Sequence, residues 1–338
     1  MLARAARAED LDDILRLAAL AGPGFTSLAV GEEKLSRRLS KSITSFAGPA
    51  ALSPDHYYML ILEADGEVIG MSAVKAQIGI RDPFFNFRIL NVAQKSNAAD
   101  KRFDMDVLAL VNDYSGASEV GSLFVTEGQR GSGAGRLISQ ARYMLAAAEP
   151  QRFAERVISE LRGHVSDSGV SPFWEAIGRK FFHMDFLQAD FISAEQDNQF
   201  ILDLMPKYPI YTALLPPEAQ AVIGQTHPAG AGARRMLEAE GFRYDGMIDI
   251  FDGGPSMSAP RDDIRTVRDS RLLKIKAVNE DLESGGPLTA LVSNNKIKNF
   301  CCVLSAISFT EHDINLPPST LSALELRTGD TARIWIKR

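Results

Sequence analysis

The chain has 338 residues, 45% of them hydrophobic and 24% charged, with a formal net charge of −6. That length and apolar share fit a globular protein of more than one ordinary domain, and the acid excess argues against nucleic acid or an anionic membrane as the main partner. No apolar run approaches the roughly 18 residues of a membrane-spanning helix, and the opening MLARAARAEDLDDILRLAAL is broken by Arg, Asp and Glu, unlike a secretory signal. A cytoplasmic protein acting on small molecules is therefore expected.

The first 21 residues read as a short strand and a helix, with Leu11, Ile14, Leu15, Ala18 and Ala19 at helical spacing. A second helix fits Glu32 to Phe46. YYMLILEADGEVIGMSAVKA is a hairpin turning at Asp65-Gly66, a pair suited to positive φ. Residues 77–117, which hold RDPFFNFRIL, read as an insertion with another strand or loop. A strand SEVGSLFV, a glycine-rich bend and a helix through Ala148 follow, then a strand RVISELRG. SPFWEAIGRKFF puts Phe173, Trp174, Ile177 and Phe181 on one helical face, and residues 190–219 suggest one more helix and a loop punctuated by Pro206 and Pro209. GARRMLEAEGFRY reads as a helix stopped by Gly241 and a strand from Phe242.

Beyond GGPSMSAP, short β-like runs alternate with turn residues, which places an α+β unit over 1–258 and a small β-rich domain over 259–338. Cys301 and Cys302 are the only cysteines. Their adjacency supplies neither a disulfide framework nor zinc spacing, so strand packing is expected of them. No metal site is expected.

The bend QRGSGAG, residues 129–135, leaves main-chain N–H groups at a helix start, where the dipole favours an anion such as phosphate. The dinucleotide pattern fails, because Arg136 and Ile138 stand where a third glycine is needed. A triphosphate loop fails too, since Gly-Lys occurs nowhere, and neither G-x-S-x-G nor H-E-x-x-H is present. What remains is R-x-x-G-x-G at Arg130, Gly133 and Gly135, between a strand and a helix; a ligand-free turn is the plain alternative.

That placement resembles the acyl-CoA loop of the GCN5-related N-acetyltransferase superfamily. The resemblance implies a mixed sheet flanked by helices, here with a small C-terminal β-barrel-like domain. It also implies that loop amides at Arg130, Gly131, Gly133 and Gly135 hold the CoA pyrophosphate. The strand at Leu123 to Val125 would splay to meet the pantetheine arm.

A closer resemblance runs nearly the full length, through GPGFTSL, RDPFFNFRI, ASEVGSLFV, ELRG, SPFWEAIGRKFFHMDF, LMPKYPIY, AQAVIGQTHP, ARRMLEAEGFRYDGMIDIFDGGP and LRTGDTARI. Together they are similar to bacterial arginine N-succinyltransferases. This implies succinyl transfer from succinyl-CoA, a co-substrate and not a tightly bound cofactor, to the α-amino group of L-arginine, the first step of an ammonia-releasing arginine degradation. It also implies a homo-oligomer or an assembly with a related subunit. In TSLAV the family's usual proline after Thr-Ser-Leu is missing, which leaves ornithine or another amine open as acceptor, and a CoA or amino-acid sensor stands as the non-catalytic alternative.

The reaction needs a base, because an α-amino group is largely protonated at neutral pH, and a proton or hydrogen bond for the departing thiolate. His227, in the glycine- and proline-rich loop IGQTHPAGAG, suits proton transfer, and the resemblance implies that it is the proton donor. His183 is expected to pack beside the aromatic helix, and His56, His164 and His312 have no supporting motif. Glu119, at the start of the strand before the loop, is a candidate relay for the amine proton. The resemblance places a succinyl-CoA contact at Leu123, whose backbone is the useful part, and Leu123 and Val125 could offer a donor to the developing oxyanion. Arg81, Arg88 and Arg162 are candidates for the succinyl carboxylate, and Asp82, Glu119, Asp249 and Asp252 for the guanidinium.

Overall fold

A computed structural model describes residues 1–21, 28, 30–129, 131–195 and 199–336. The N-terminal half runs β1 (Leu2–Ala5), α1 (Leu11–Ala21), α2 (Glu32–Ala47), β2 (Tyr57–Ala64), β3 (Glu67–Lys75), β4 (Asn86–Ser96), β5 (Lys101–Val111), β6 (Ser118–Val125), α3 (Ala134–Ala148) and β7 (Arg156–Glu160). It continues through α4 (Pro172–Ala176), α5 (Gly178–Phe182), α6 (Phe186–Glu195), α7 (Gln199–Leu204), β8 (Ile210–Tyr211), α8 (Pro217–Val222), α9 (Ala231–Glu240), β9 (Arg243–Asp249) and β10 (Pro255–Pro260). Last come α10 (Arg265–Asp269), β11 (Arg271–Val278), β12 (Leu288–Ser293), β13 (Cys301–Phe309), β14 (Asp313–Leu316), α11 (Pro318–Leu324) and β15 (Thr331–Ile336).

The strands form one mixed sheet in the order β12-β15-β11-β14-β13-β1-β2-β3-β6-β7-β10-β9-β4-β5-β8, and β12 also pairs with β13. That extra pairing closes β11 to β15 into a five-stranded barrel. The link to the rest is β1, which pairs with β13 on one side and β2 on the other. Adjacent cysteines straddle this wall: Cys301 packs in the barrel core and Cys302 in the main core, as strand alternation requires.

The Asp65-Gly66 turn has φ of 51° and 83°, the left-handed pair that the hairpin reading needs. Both faces of β2 are buried. Tyr58, Leu60 and Leu62 pack with α3, whereas Tyr57, Met59 and Ile61 pack with α1 and α2. A strand covered on both sides reads as an unbroken apolar run, as YYMLIL does.

Three local expectations need correction. Residues 77–117 hold a long antiparallel hairpin of two strands, β4 and β5, in register from Asn86↔Val111 to Ser96↔Lys101. Its outer half is exposed on both faces, so it carries no alternation to read. The stretch 190–219 holds parts of two helices and a third, with the short β8 between them, where one helix and a loop were expected. The aromatic helix breaks at Ile177 (φ −120°, ψ −76°), which turns Phe182 into the core and leaves Phe181 41% exposed. Trp174 then stacks on Phe251 with ring centroids 5.5 Å apart.

The start of β1 is locked by charge. Arg4 donates two hydrogen bonds of 2.8 Å to the Asp10 carboxylate and one of 2.8 Å to Glu63 Oε2, and Asp10 also accepts the Arg7 N–H at 2.7 Å. Both Arg4 and Asp10 are buried. Asp10→Ala strands the guanidinium with Glu63 alone and should lower the unfolding free energy by about 3 kcal/mol in a urea titration; a change below about 1 kcal/mol contradicts this account.

Candidate active site

The sheet opens between β6 and β7. These strands are parallel neighbours, yet they pair only at Ser118↔Val157 and Glu119↔Ile158. On its other side β6 stays with β3 as far as Gly70↔Val125, through a register shift opposite Ser122, which takes φ of 51°. Meanwhile β7 follows β10 along its whole length, and Leu161 continues the ladder by donating to the Pro255 carbonyl at 3.0 Å. Gly254 permits this closeness: a Cβ there would lie 2.1 Å from the Leu161 carbonyl oxygen.

From residue 120 onward the β7-facing edge of β6 therefore lacks a strand. Thr126 donates to the Ile69 carbonyl at 2.9 Å, so alternation turns the main-chain groups of Leu123 and Val125 away from β3 and into the gap.

The glycine bend lies at the far end of that edge. Gly131 and Gly133 have φ of 87° and 94°, and α3 begins at Ala134. A Cβ at Gly131, Gly133 or Gly135 would meet no protein atom within 4 Å. Positive φ accounts for the first two glycines; Gly135 has no such need, and its bare surface faces open space at a helix N-terminus. Arg130 lies outside the described residues.

The gap belongs to a cavity of about 1480 Å³ that passes from the α2 side of the sheet to the α3 side, lined by Lys34 and Lys41 at one end and by Gly133 and Arg136 at the other. Val74 and Val120 pack with α3, so their neighbours Lys75 and Glu119 face the α2 side. Lys75 Nζ donates to Glu119 Oε2 at 2.7 Å.

The cavity wall also carries Glu160, Asp249 and Asp252. Glu160 Oε1 accepts from Asn86 Nδ2 at 2.8 Å and Ser256 Oγ at 3.2 Å. Asp252 accepts the Gly163 N–H at 2.7 Å and the Gly254 N–H at 2.8 Å, and Asp249 accepts those of Phe251 and Asp252 at 2.7 and 2.9 Å. Burial raises all three above the ordinary carboxylate range, and the charge of Asp249 adds to the rise at Glu160 and Asp252. Each of these acids is thus less acidic than a free carboxyl, and a nearby cation would oppose that shift.

His227 enters the cavity from the loop before α9. Its N–H donates to the Arg162 carbonyl at 2.8 Å, and its Nδ1 accepts the Ala229 N–H at 3.2 Å, so the neutral ring carries its proton on Nε2. Burial lowers its pKa, and the charges of Arg162 and His164 act in the same direction. The His164 ring lies 6.1 Å away, centroid to centroid.

A family model described as arginine N-succinyltransferase beta subunit matches residues 1–266, and one described as its C-terminal domain matches 271–335. The chain belongs to this family. Curated relatives named arginine N-succinyltransferase from Yersinia enterocolitica and Enterobacter sp. strain 638 are 37% and 38% identical to it, each alignment covering 99% of this chain and 97% of the relative. A solved structure described as arginine/ornithine succinyltransferase subunit AI from Pseudomonas aeruginosa superposes with a TM-score of 0.89 at 32% identity, covering 99% of this chain and 98% of that one.

Among the described residues expected of an arginine N-succinyltransferase site, Glu119, Leu123, Val125, Gly131, Gly133, Gly135 and His227 all line this one cavity. So do Asp82, Asp249, Asp252 and Arg162. Arg81 is at the rim, paired with the exposed Asp55, and Arg88 pairs with Asp113 at 2.7 Å outside the cavity lining. His183 caps α5 in a left-handed conformation and is not part of the lining. Sequence reasoning missed Glu160 and Lys75. The available signal for Glu160 was its place two residues before Arg162 in ELRG, a carboxylate at the end of an apolar strand. Among the described residues no group of three or more His, Cys, Asp or Glu is placed to hold a metal, and no helix is long and apolar enough to cross a membrane.

The environment of His227 has a measurable consequence. Its depressed pKa keeps the ring neutral at pH 7, so its imidazole C2–H resonance, assigned by loss in His227→Gln, should titrate with a midpoint below 6.5. A midpoint above that value contradicts the described surroundings.

Proposed function

We propose that this protein transfers a succinyl group from succinyl-CoA to the α-amino group of L-arginine by direct attack of the amine on the thioester. The observation that carries the reading is the unpaired β6 edge, which joins a glycine-lined helix N-terminus to a wall of carboxylates in one cavity. The parting of β6 and β7 also supports an acyltransferase fold of the GCN5-related type. The barrel's own apolar core, from Leu273 to Ile334, supports a division into two units, with Ala259 and Ile264 still packed in the main core.

The pyrophosphate sits on the amides of Gly131 to Gly135, and the pantetheine arm runs along Leu123 to Val125 as a surrogate strand. Its thioester then lies at the parting of the strands. The acceptor enters from the α2 side, where Glu160, Asp249 and Asp252 take its cationic side chain, which in turn favours their ionised form. Glu119, whose carboxylate is stabilised by Lys75, accepts the proton that the ammonium must lose. As nitrogen adds to the carbonyl, the Leu123 N–H meets the developing oxyanion. His227 presents Nε2–H to the departing sulfur. One bond, N–C, forms and one, C–S, breaks. Of the two protons the ammonium sheds, Glu119 takes the first, and the second, lost by the nitrogen as the tetrahedral adduct collapses, ends on the CoA sulfur as its thiol.

Ornithine is the second acceptor to weigh. The Pseudomonas aeruginosa relative carries both amino acids in its description, and a shorter cation could reach the same acidic wall. That relative is also described as a subunit, which supports an oligomer, of like or related chains, here. A cytoplasmic location fits both substrates.

Thiol release from succinyl-CoA with each amine tests the reading: arginine should give the higher kcat/KM, and an enzyme favouring ornithine reassigns the acceptor. If succinyl-CoA binds and no amine in a broad panel releases thiol, the protein is a sensor.

A second test addresses the loop. Gly135→Leu meets no protein atom at its Cβ and replaces a poor helix former, so stability should hold or rise by about 1 kcal/mol. The new side chain fills the phosphate approach and should raise KM for succinyl-CoA at least about tenfold, with KM for arginine little changed. Unaltered donor KM removes the phosphate from this loop.

A further inference from the structure

Arg162 differs from the other cations of the cleft that are withdrawn from solvent; Arg136 and Arg235 also line the cavity but are exposed. Lys75 is paired with Glu119, Arg81 with Asp55, and Arg142 bonds Ser139 within α3. Arg162 lines the cavity with a buried Nε that has no partner, and among the described residues no hydrogen bond or ion pair reaches its guanidinium. Arg88 and Arg265 also bury an unpartnered Nε, but each has an acid on its terminal nitrogens.

The root of this side chain is held firmly. Leu161 before it donates to Pro255, and Gly163 after it donates to Asp252 Oδ2 at 2.7 Å. Its own carbonyl accepts the His227 N–H at 2.8 Å. The backbone of Arg162, just past the end of β7 and across the gap from Leu123 and Val125, is thus tied directly to His227, the residue proposed to face the leaving sulfur.

A half-buried guanidinium without an anion is costly unless a ligand supplies one. Succinyl transfer brings two carboxylates into the cavity, that of the succinyl tail and that of the amino acid. Neither can rest on Glu160, Asp249 or Asp252.

We propose that Arg162 binds the distal carboxylate of the succinyl group through its planar fork and thereby selects succinyl-CoA over uncharged acyl-CoA donors. This rests on the succinyltransferase reading above. The tail is chosen over the acceptor's carboxylate because the Arg162 carbonyl holds the His227 N–H, which ties Arg162 to the group that faces the departing sulfur. Alternation sets Arg162 on the same face as Glu160, so the agmatine arm of the test separates the two carboxylates.

The test compares wild type, Arg162→Gln and Arg162→Lys with succinyl-CoA and butyryl-CoA as donors. It also compares arginine with agmatine, which lacks the α-carboxylate, as acceptors. In Arg162→Gln the succinyl-to-butyryl ratio of kcat/KM should fall about 100-fold. Lysine should restore part of it, and the arginine-to-agmatine ratio should hold. Thermal unfolding checks the fold; should the Gln variant not fold, the Lys variant carries the test with a fall of about tenfold in the same ratio.

Equal loss with both donors overturns the proposal, as does a fall confined to the arginine-to-agmatine ratio, which would give Arg162 to the acceptor. A wild type that uses succinyl-CoA but shows no donor preference overturns the proposal alone. A wild type that releases no thiol from succinyl-CoA overturns the succinyltransferase reading instead.

Discussion

The site depends on the parting of β6 from β7. Two strands that meet at only two residue pairs and then diverge leave main-chain donors and acceptors in the interior of a sheet, where they are ordinarily satisfied. The cause is local. A register shift at Ser122 keeps β6 with β3, and Gly254 lets β7 lie close against β10. Neither strand can follow the other, so the gap is a property of the backbone and does not rely on any one side chain. An amide-bearing chain fits such an edge because it returns the lost ladder bonds.

The gap would be of little use on a yielding frame, and α3 supplies the rigidity. It is buried along almost all of its length, against the main sheet, the barrel wall and α10. Even its polar residues are tied: Gln140 donates to Glu240 at 2.9 Å and Thr266 at 3.0 Å, joining α3 to α9 and α10. The glycine bend therefore ends on a fixed helix N-terminus. The barrel has a part in this, since Cys302, Leu291 and Trp335 pack in the same core as α3 while Cys301 packs inside the barrel.

Where residue types carry a geometric demand, the sequence was legible. Asp65-Gly66 required a hairpin, Gly241 ended α9 at φ of 100°, and Gly131 and Gly133 marked the bend. The loop could be named for the same reason, whereas His227 was named for its chemistry in a polar loop and for the family resemblance of its GQTHP block. The long β4–β5 hairpin could not be read because neither face is buried along its outer half. The break at Ile177 was hidden because an unbroken helical pattern gives no sign that tertiary packing around Trp174 will override it. Glu160 was not named, and Arg162 was named but could not be separated from Arg81 and Arg88, because their environment comes from strands β9 and β10, nearly a hundred residues later in the chain. A charge in an apolar strand shows that something must meet it; which partner does so is a matter of topology.

Charge is divided across the cleft in a way that couples its two halves. Arg162 is one of the groups that lower the pKa of His227, and the wall acids are raised by burial and by one another. Burial and charge therefore push the histidine and the carboxylates alike toward their neutral forms. A donor whose tail carboxylate neutralises Arg162 removes one of the charges opposing protonation of His227. An acceptor cation on the other side favours the ionised form of the acids and so opposes the effect of burial. Under the succinyl-transfer mechanism proposed above, each substrate would shift the local titration toward the state in which a base takes the amine proton and a ring N–H meets the sulfur, so the protonation pattern would be completed by the two ligands together.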